Sequence, residues 1–303
     1  NIKYIVEKRQ MKKIIVVILN FNTYEQTVNM VNSVKKNHNV FSKIIIIIVD
    51  NASTDGSGDK LRRMYTKDRK VIVLKSRVNN GFASGNNIGY QYGKKMDPDF
   101  IIFSNSDVVI KGKNFFDSII EIYDHEQFAV LGPDVFNPNT NIHQSPLYFN
   151  RKIDRKYILR RRTLLKLIQI KNVVQLFCPK TIGNVIKKNK LKNEKRRKYS
   201  MSHDNVALHG AFLIFSKKYI EKFSMGICDA TFMYGEEDII LYFCQVNNLK
   251  TMYSPKIKVW HFEGQSTKKV MNDVYKAEKF KEKNMKKSML ILQSYIKCGM
   301  KQW

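Results

Sequence analysis

The four cysteines, Cys178, Cys228, Cys244 and Cys298, are too scattered to form any C-x-x-C pair, which argues against a zinc ribbon or a disulfide-framed domain. They read as reduced thiols of a cytosolic protein. No apolar run reaches the roughly 18–20 residues of a membrane span. The opening "NIKYIVEKRQMKK" has neither the apolar core nor the small-residue cleavage site of a signal peptide, and Met11 reads as a start with ten peripheral residues before it. Neither G-x-G-x-x-G nor G-x-x-x-x-G-K-[S/T] occurs, which disfavours a dinucleotide enzyme or a P-loop NTPase. Acidic side chains are also scarce. Asp and Glu number 26 against 54 Lys and Arg, leaving a net charge of +28.

Such a field attracts polyanions: nucleic acid, an anionic membrane surface or phosphorylated substrates. The charge is concentrated, with eighteen basic residues between Arg151 and Ser200 facing only Asp154 and Glu194. That stretch lacks a regular aromatic interleave and any visible nucleic-acid module, so nucleic acid is not the expected partner. With 43% hydrophobic residues, the chain can bury a substantial core.

Periodicity predicts its architecture. Lys12 to Asn20 is β-branched and of strand length, and helical spacing follows at Tyr24, Val28, Val31 and Val34. Ile44 to Val49 predicts a second strand, with a helix around Leu61, Met64 and Tyr65. Val71 to Ser76 predicts a third strand, with a helix opening on Asn86 and Asn87, and Phe100 to Asp107 a fourth. Strands that are apolar throughout and alternate with helices predict a mostly parallel sheet flanked by helices. The division expected is a nucleotide-binding α/β half (11–150), a basic insertion (151–207), a second half (208–267) and a basic amphipathic C-terminal helix (268–303). Beyond the fourth strand, "LGPDVFNPN" reads as the start of a loop-rich stretch, His209 to Tyr219 as a strand, and "YGEEDI" as the entry to a helix.

In parallel sheets, ligands bind beyond the carboxyl ends of the strands. Polar clusters fall there four times: Asn20–Asn22, Asp50–Ser57, Asn79–Asn87 and Ser104–Asp107. Asp50 can accept from a base or ribose hydroxyl, while Asn51, Ser53 and Asp55 can shape the loop, although Asx turns and helix caps use the same residue types. Asn105 and Asp107, one residue apart, form a compact oxygen site for Mg²⁺ or Mn²⁺ chelated by a diphosphate, or else a turn. Glu236, Glu237 and Asp238 repel one another unless they cap a helix or serve chemistry. His261 sits past an apolar strand, before a loop containing Gly264, Ser266 and Thr267, from which it can reach a metal or phosphate.

Taken in order, "VVILNFN", "VDNASTDGS", "NNGFASGNNIG", "FSNSDV", "HGAFLIF", "YGEEDI" and "WHFEGQST" resemble the family 2 glycosyltransferases of the GT-A fold, most of all the bacterial rhamnosyltransferase-like branch. The resemblance implies metal-assisted, inverting sugar transfer from a nucleotide-diphosphate sugar. It implicates Asp50 at the nucleobase or ribose, and Asn20, Asn22, Asn51, Ser53, Asn80, Gly81, Asn86, Ser104 and Asn105 around the donor. The loop from Asn79 to Asn87 is expected to close over that donor. Asp107 and His261 are implicated at the Mg²⁺ or Mn²⁺ and diphosphate, with Asn105 standing where the family has its first Asp. Glu237 matches the catalytic base, flanked by Glu236 and Asp238, and His209, Gly210 and Ala211 match the segment beside donor sugar and acceptor. The acceptor implied is a growing, lipid-linked bacterial surface glycan, with the enzyme cytoplasmic and peripheral on an anionic membrane face. A nucleotidyltransferase on the same type of sheet is the alternative, although "NFNTYE" is no phosphate loop.

Overall fold

The computed structural model describes residues 11–37, 42–148, 151–164, 199–263 and 274–303. Ten strands form one sheet: β1 (Lys12–Asn20), β2 (Ser42–Asp50), β3 (Val71–Lys75), β4 (Phe100–Asn105), β5 (Val108–Lys111), β6 (Val130–Asn137), β7 (Ile142–His143), β8 (His203–Asp204), β9 (Phe212–Ser216) and β10 (Thr251–His261). Their order is β3-β2-β1-β4-β9-β6-β10-β5, with β7 on β6 and β8 on β10. The first four neighbours are all parallel, as is β6 with β10, whereas β9 runs antiparallel between β4 and β6. The sheet is therefore mixed, and its central strand β9 comes from the second half of the sequence.

Both faces of the sheet are covered. Along β1, Ile14, Val16 and Ile18 face one core with α1 (Tyr24–Lys36), α2 (Ser57–Tyr65) and α4 (Phe115–Glu126). Ile15 and Val17 face the other, with α3 (Gly81–Lys94), a helical segment α5 (155–164), α6 (Lys217–Lys222), α7 (Glu236–Val246) and α8 (Val274–Cys298). Period-two alternation buried on both sides explains why these strands read as unbroken apolar runs. Helix α3 approaches β1 through a glycine face. A Cβ at Gly85, Gly89 or Gly93 would lie 2.6 Å from Leu19, 2.3 Å from Val17 or 2.8 Å from Ile15. Four helical residues advance about 6 Å and two strand residues about 6.6 Å, so the two repeats stay in step.

Three expectations need correction. The stretch beginning "LGPDVFNPN" is not loop-rich but enters β6, whose interior position between β9 and β10 buries its glycine and proline. Helix α3 starts at Gly81, before Asn86 and Asn87, so there is no long loop here to close over a ligand. Asn87 is a brace: its Oδ1 accepts from the backbone of Gly226 and Ile227, and its Nδ2 donates to the Ile227 carbonyl. Helix α8 is also committed to the fold through Met289, Leu292, Tyr295 and Ile296, and Trp303 beyond it stacks on Phe223 at 5.0 Å. The expected start of that helix at Lys268, most of the basic insertion, and Gly264, Ser266 and Thr267 lie outside the described residues. Strand β5 and helix α4 had no counterpart in the sequence reading.

Candidate active site

The carboxyl ends of β1 and β2 are joined by a buried polar network. Asn20, fully buried, donates through Nδ2 to Asp50 Oδ1 at 2.8 Å and to the hydroxyls of Ser53 and Ser57 at 3.0 Å. Its Oδ1 accepts from Thr23 and Thr27. Asn22 adopts a left-handed φ of 56° and accepts through Oδ1 from the Thr54 and Asp55 amides. Thus Asn20, Asn22 and Ser53 hold the 51–57 loop, with Asn20 at the centre of its hydrogen bonds. Asp50 is only 1% exposed, and its Oδ2 is closed over by Gly58, where a Cβ would sit 2.1 Å from that oxygen. That Oδ2 is buried without a hydrogen-bond partner. Asn51 donates to Asn79 Oδ1 and the Gly81 carbonyl, joining this loop to the start of α3.

At that start, Asn80 is exposed, while Gly81 has φ 92° and lies against the Phe232 carbonyl. The same carbonyl accepts from the Phe82 amide at 2.7 Å. Asn86 turns back on its own helix, donating to the Phe82 carbonyl, and is 1% exposed. Its Oδ1 is buried without a hydrogen-bond partner.

Further along the sheet, Ser104 is buried and donates to the Asn105 carbonyl, and the Asn105 amide donates to the carbonyl of Ala211 on the approach to β9. Asp107, in the tight turn between β4 and β5, stands 3.4 Å from His261 Nε2 through its Oδ1. Antiparallel pairing of β5 with β10 sets Val108 opposite His261 and brings these residues together from 154 positions apart. His209 packs edge-on to His261 at 5.4 Å, and its Nδ1 accepts from the Ala211 amide. One carboxylate and one imidazole form an oxygen–nitrogen pair suited to Mg²⁺ or Mn²⁺ only if a ligand supplies further oxygens. Among the described residues, no three His, Cys, Asp or Glu side chains cluster as a self-sufficient cation cage.

Glu237 lies on the other side of Gly210. A Cβ at Gly210 would meet Glu237 Oε1 at 3.0 Å, so a side chain there would crowd the carboxylate. Burial raises the proton affinity of Glu237, against its own amide, the Gly210 and Gly235 amides and the charge of Lys281. Glu236 is pushed up to about 8 by burial and then by Glu237, and its Oε1 is buried without a hydrogen-bond partner. Asp238 is pushed up to about 7 by burial, and accepts from Tyr157 at 2.7 Å and Arg161 at 3.5 Å, both on α5. Three adjacent carboxylates therefore have three environments: Glu236 enclosed, Glu237 beside Gly210, and Asp238 tied to the basic insertion.

Helix α8 fixes the turn that carries them. Ser288 packs where a Gly235 Cβ would meet it at 2.9 Å, Phe280 packs edge-on to Phe232 at 6.1 Å, and Lys281 lies 5.4 Å above the Tyr234 ring. Phe232, Lys281, Tyr157 and Arg161 had not been singled out from sequence. They lack motif spacing, and only tertiary packing brings them here.

The model of "Glycosyl transferase family 2" matches residues 15–223. Among solved structures, residues 1–349 of S. aureus TarS are similar at TM-score 0.51 with 15% identity, over 85% of this chain and 63% of that one. GalNAc-T7, crystallised with UDP, GalNAc and Mn²⁺, is similar at TM-score 0.55 with 15% identity, over 83% of this chain and 44% of that one. TarS 1–349 with UDP-GlcNAc aligns over 44% of this chain and 37% of that one, at TM-score 0.38 and 21% identity. The chain thus spans less than two thirds of the length of each. The likenesses at TM-scores 0.51 and 0.55 show the GT-A fold. No curated protein matches the chain.

Proposed function

This chain belongs to glycosyl transferase family 2, and we propose that it moves a hexosyl group from a nucleoside-diphosphate sugar to an acceptor hydroxyl, with inversion at the anomeric carbon. The observation that carries the reading is the convergence of Glu237, the His209–Ala211 segment, Asp107 and His261 at one end of the sheet. Glu237 takes the acceptor's proton as its oxygen attacks the anomeric carbon from the face opposite the nucleotide. The bond to the diphosphate breaks, and nucleoside diphosphate leaves. A raised proton affinity suits a base that must accept a proton near neutral pH.

Asp107 and His261 would hold a divalent cation together with the diphosphate, Asn105 lying alongside. When bound, the cation supplies Lewis-acid stabilisation of the departing charge. His209, Gly210 and Ala211 border the sugar. The loop braced by Asn20, Asn22, Asp50, Asn51 and Ser53 shapes the nucleotide end with Asn80 and Gly81. UDP and Mn²⁺, found with GalNAc-T7, are of the class we propose here.

For the acceptor we propose a lipid-linked surface glycan at the cytoplasmic membrane face. Lys279, Lys283, Lys286, Lys287 and Lys297 are exposed on α8, and Arg155, Lys156, Arg160 and Arg162 on α5. No helix among the described residues is long and apolar enough to cross a membrane. Because the apolar side of α8 packs on the protein, attraction to anionic lipid there would come from charge, on the order of 1 kcal/mol per basic residue near the surface.

The test is single-turnover release of nucleoside diphosphate from UDP-, dTDP- and GDP-sugars with Mn²⁺, for the natural chain and Glu237→Gln. Turnover in the natural chain and a loss of at least about 100-fold in the variant, with donor binding retained, is expected. Full activity of Glu237→Gln removes the assignment, and release of pyrophosphate in its place would identify a nucleotidyltransferase.

A further inference from the structure

Gln144 follows the short strand β7 and bridges two side chains. Its Nε2 donates to Glu263 Oε2 at 2.8 Å, and its Oε1 lies 2.7 Å from His261 Nδ1. The backbone holds it in place, since the Gln144 amide donates to the Val135 carbonyl at 2.7 Å. An ionised carboxylate only accepts, so the amide nitrogen must face Glu263. The amide oxygen then faces His261, and as an acceptor it requires a proton on Nδ1. A neutral imidazole carries one N–H, so Nε2 is left with its lone pair, turned toward Asp107 Oδ1 at 3.4 Å.

We infer that Glu263 and Gln144 are positioning residues that select the Nδ1–H tautomer of His261 and aim its Nε2 lone pair at the Asp107 side of the site. Their purpose rests on the cation reading above, whereas the tautomer of the neutral ring follows from geometry: of the two acceptors that face it, Gln144 is in hydrogen-bond contact at 2.7 Å and Asp107 stands at 3.4 Å. Two acceptors facing each other at 3.4 Å are suited to a shared cation. Outer partners of this kind orient a ligating imidazole and raise its basicity. Sequence gives Gln144 no distinction, because nothing in "IHQSP" indicates that its glutamine meets a histidine 117 residues later.

The first measurement needs no substitution. Nitrogen-15 NMR of the histidine side chains, recorded without metal at a pH where the rings are neutral, reports which nitrogen carries the proton. The His261 signal is assigned by its loss in His261→Gln. An Nδ1–H signal is expected, and an Nε2–H signal overturns the inference.

Gln144→Leu should lose the Nδ1–H preference and weaken Mn²⁺ binding in the presence of UDP, read by electron paramagnetic resonance, about 10–100-fold. The exchange Gln144→Glu with Glu263→Gln restores an acceptor for Nδ1 and a donor behind it, so it should recover both readouts. Unchanged tautomer and affinity in Gln144→Leu overturn the inference. So does failure of the exchange in a protein whose circular dichroism is native. A wild-type Nδ1–H signal without nucleoside-diphosphate release from any sugar donor would refute the proposed function alone. Release with an Nε2–H signal would refute this inference alone.

Discussion

Replacing Glu236 with glutamine isolates one buried carboxyl. Glu236 is 4% exposed, its Oε1 has no hydrogen-bond partner, and burial followed by the charge of Glu237 pushes it from 4.5 up to about 8. A carboxyl raised on folding makes the folded state hold its proton more tightly than the unfolded state does. Stability from this group is therefore fully present below pH 4.5 and is lost as pH rises toward 8. Glutamine resembles the protonated form and does not titrate, so Glu236→Gln should gain on the natural chain as pH rises. At 1.36 kcal/mol per pKa unit, the calculated advantage is about 1 kcal/mol at pH 5, about 3 at pH 7 and about 5 at pH 9. Urea unfolding of both proteins at those three pH values gives the difference, and contributions common to both cancel. A difference that is flat with pH, or that falls as pH rises, would refute the placement of Glu236 as an enclosed, proton-holding neighbour of Glu237.

In an ordinary helix interior Gly→Ala gains about 1 kcal/mol, but Gly89→Ala should destabilise by about 1–3 kcal/mol through overpacking. Its Cβ would meet Val17 at 2.3 Å, and a second change, Val17→Ala, should recover part of the loss in thermal melts. The natural chain should sediment with anionic vesicles at low salt and release as ionic strength rises past the Debye regime; absence of sedimentation at low salt removes the proposed membrane face. Removal of Mn²⁺ by chelation should abolish the thermal shift that UDP produces, since only Asp107 and His261 are proposed as protein ligands; an unchanged shift would place the nucleotide independently of them.

Those tests probe features that differ in how well the sequence discloses them. Short-range patterns were readable because they arise from local physics. The strands Lys12–Asn20 and Ser42–Asp50 alternate between two cores, so every position is apolar and the run cannot be mistaken for a solvent-facing edge. The strand-exit clusters were also readable, since turns and sites use the same Asn, Asp and Ser residues. That double use also leaves the role of each residue open in the sequence. Asn20 and Asn86 carry polar groups at the right end of the sheet and both are buried, Asn20 within the loop network and Asn86 with Nδ2 on its own helix and Oδ1 unpartnered. Composition at a strand exit does not distinguish a residue that touches a ligand from one that holds the loop that does.

Strand order and cross-chain contacts are a different matter, because they follow from which apolar faces fit. The antiparallel seat of β9 between β4 and β6 brings Gly210 to Glu237, and β5 beside β10 brings Asp107 to His261. Once that topology exists, a side chain at 210 would crowd the Glu237 carboxylate. Gln144 is fixed the same way, oriented by Glu263 and read by His261. A family motif locates the groups that meet the substrate, but their protonation and aim come from residues that no motif contains. In this chain those residues are Gln144 and Lys281, supplied by the loop after β7 and by the C-terminal helix.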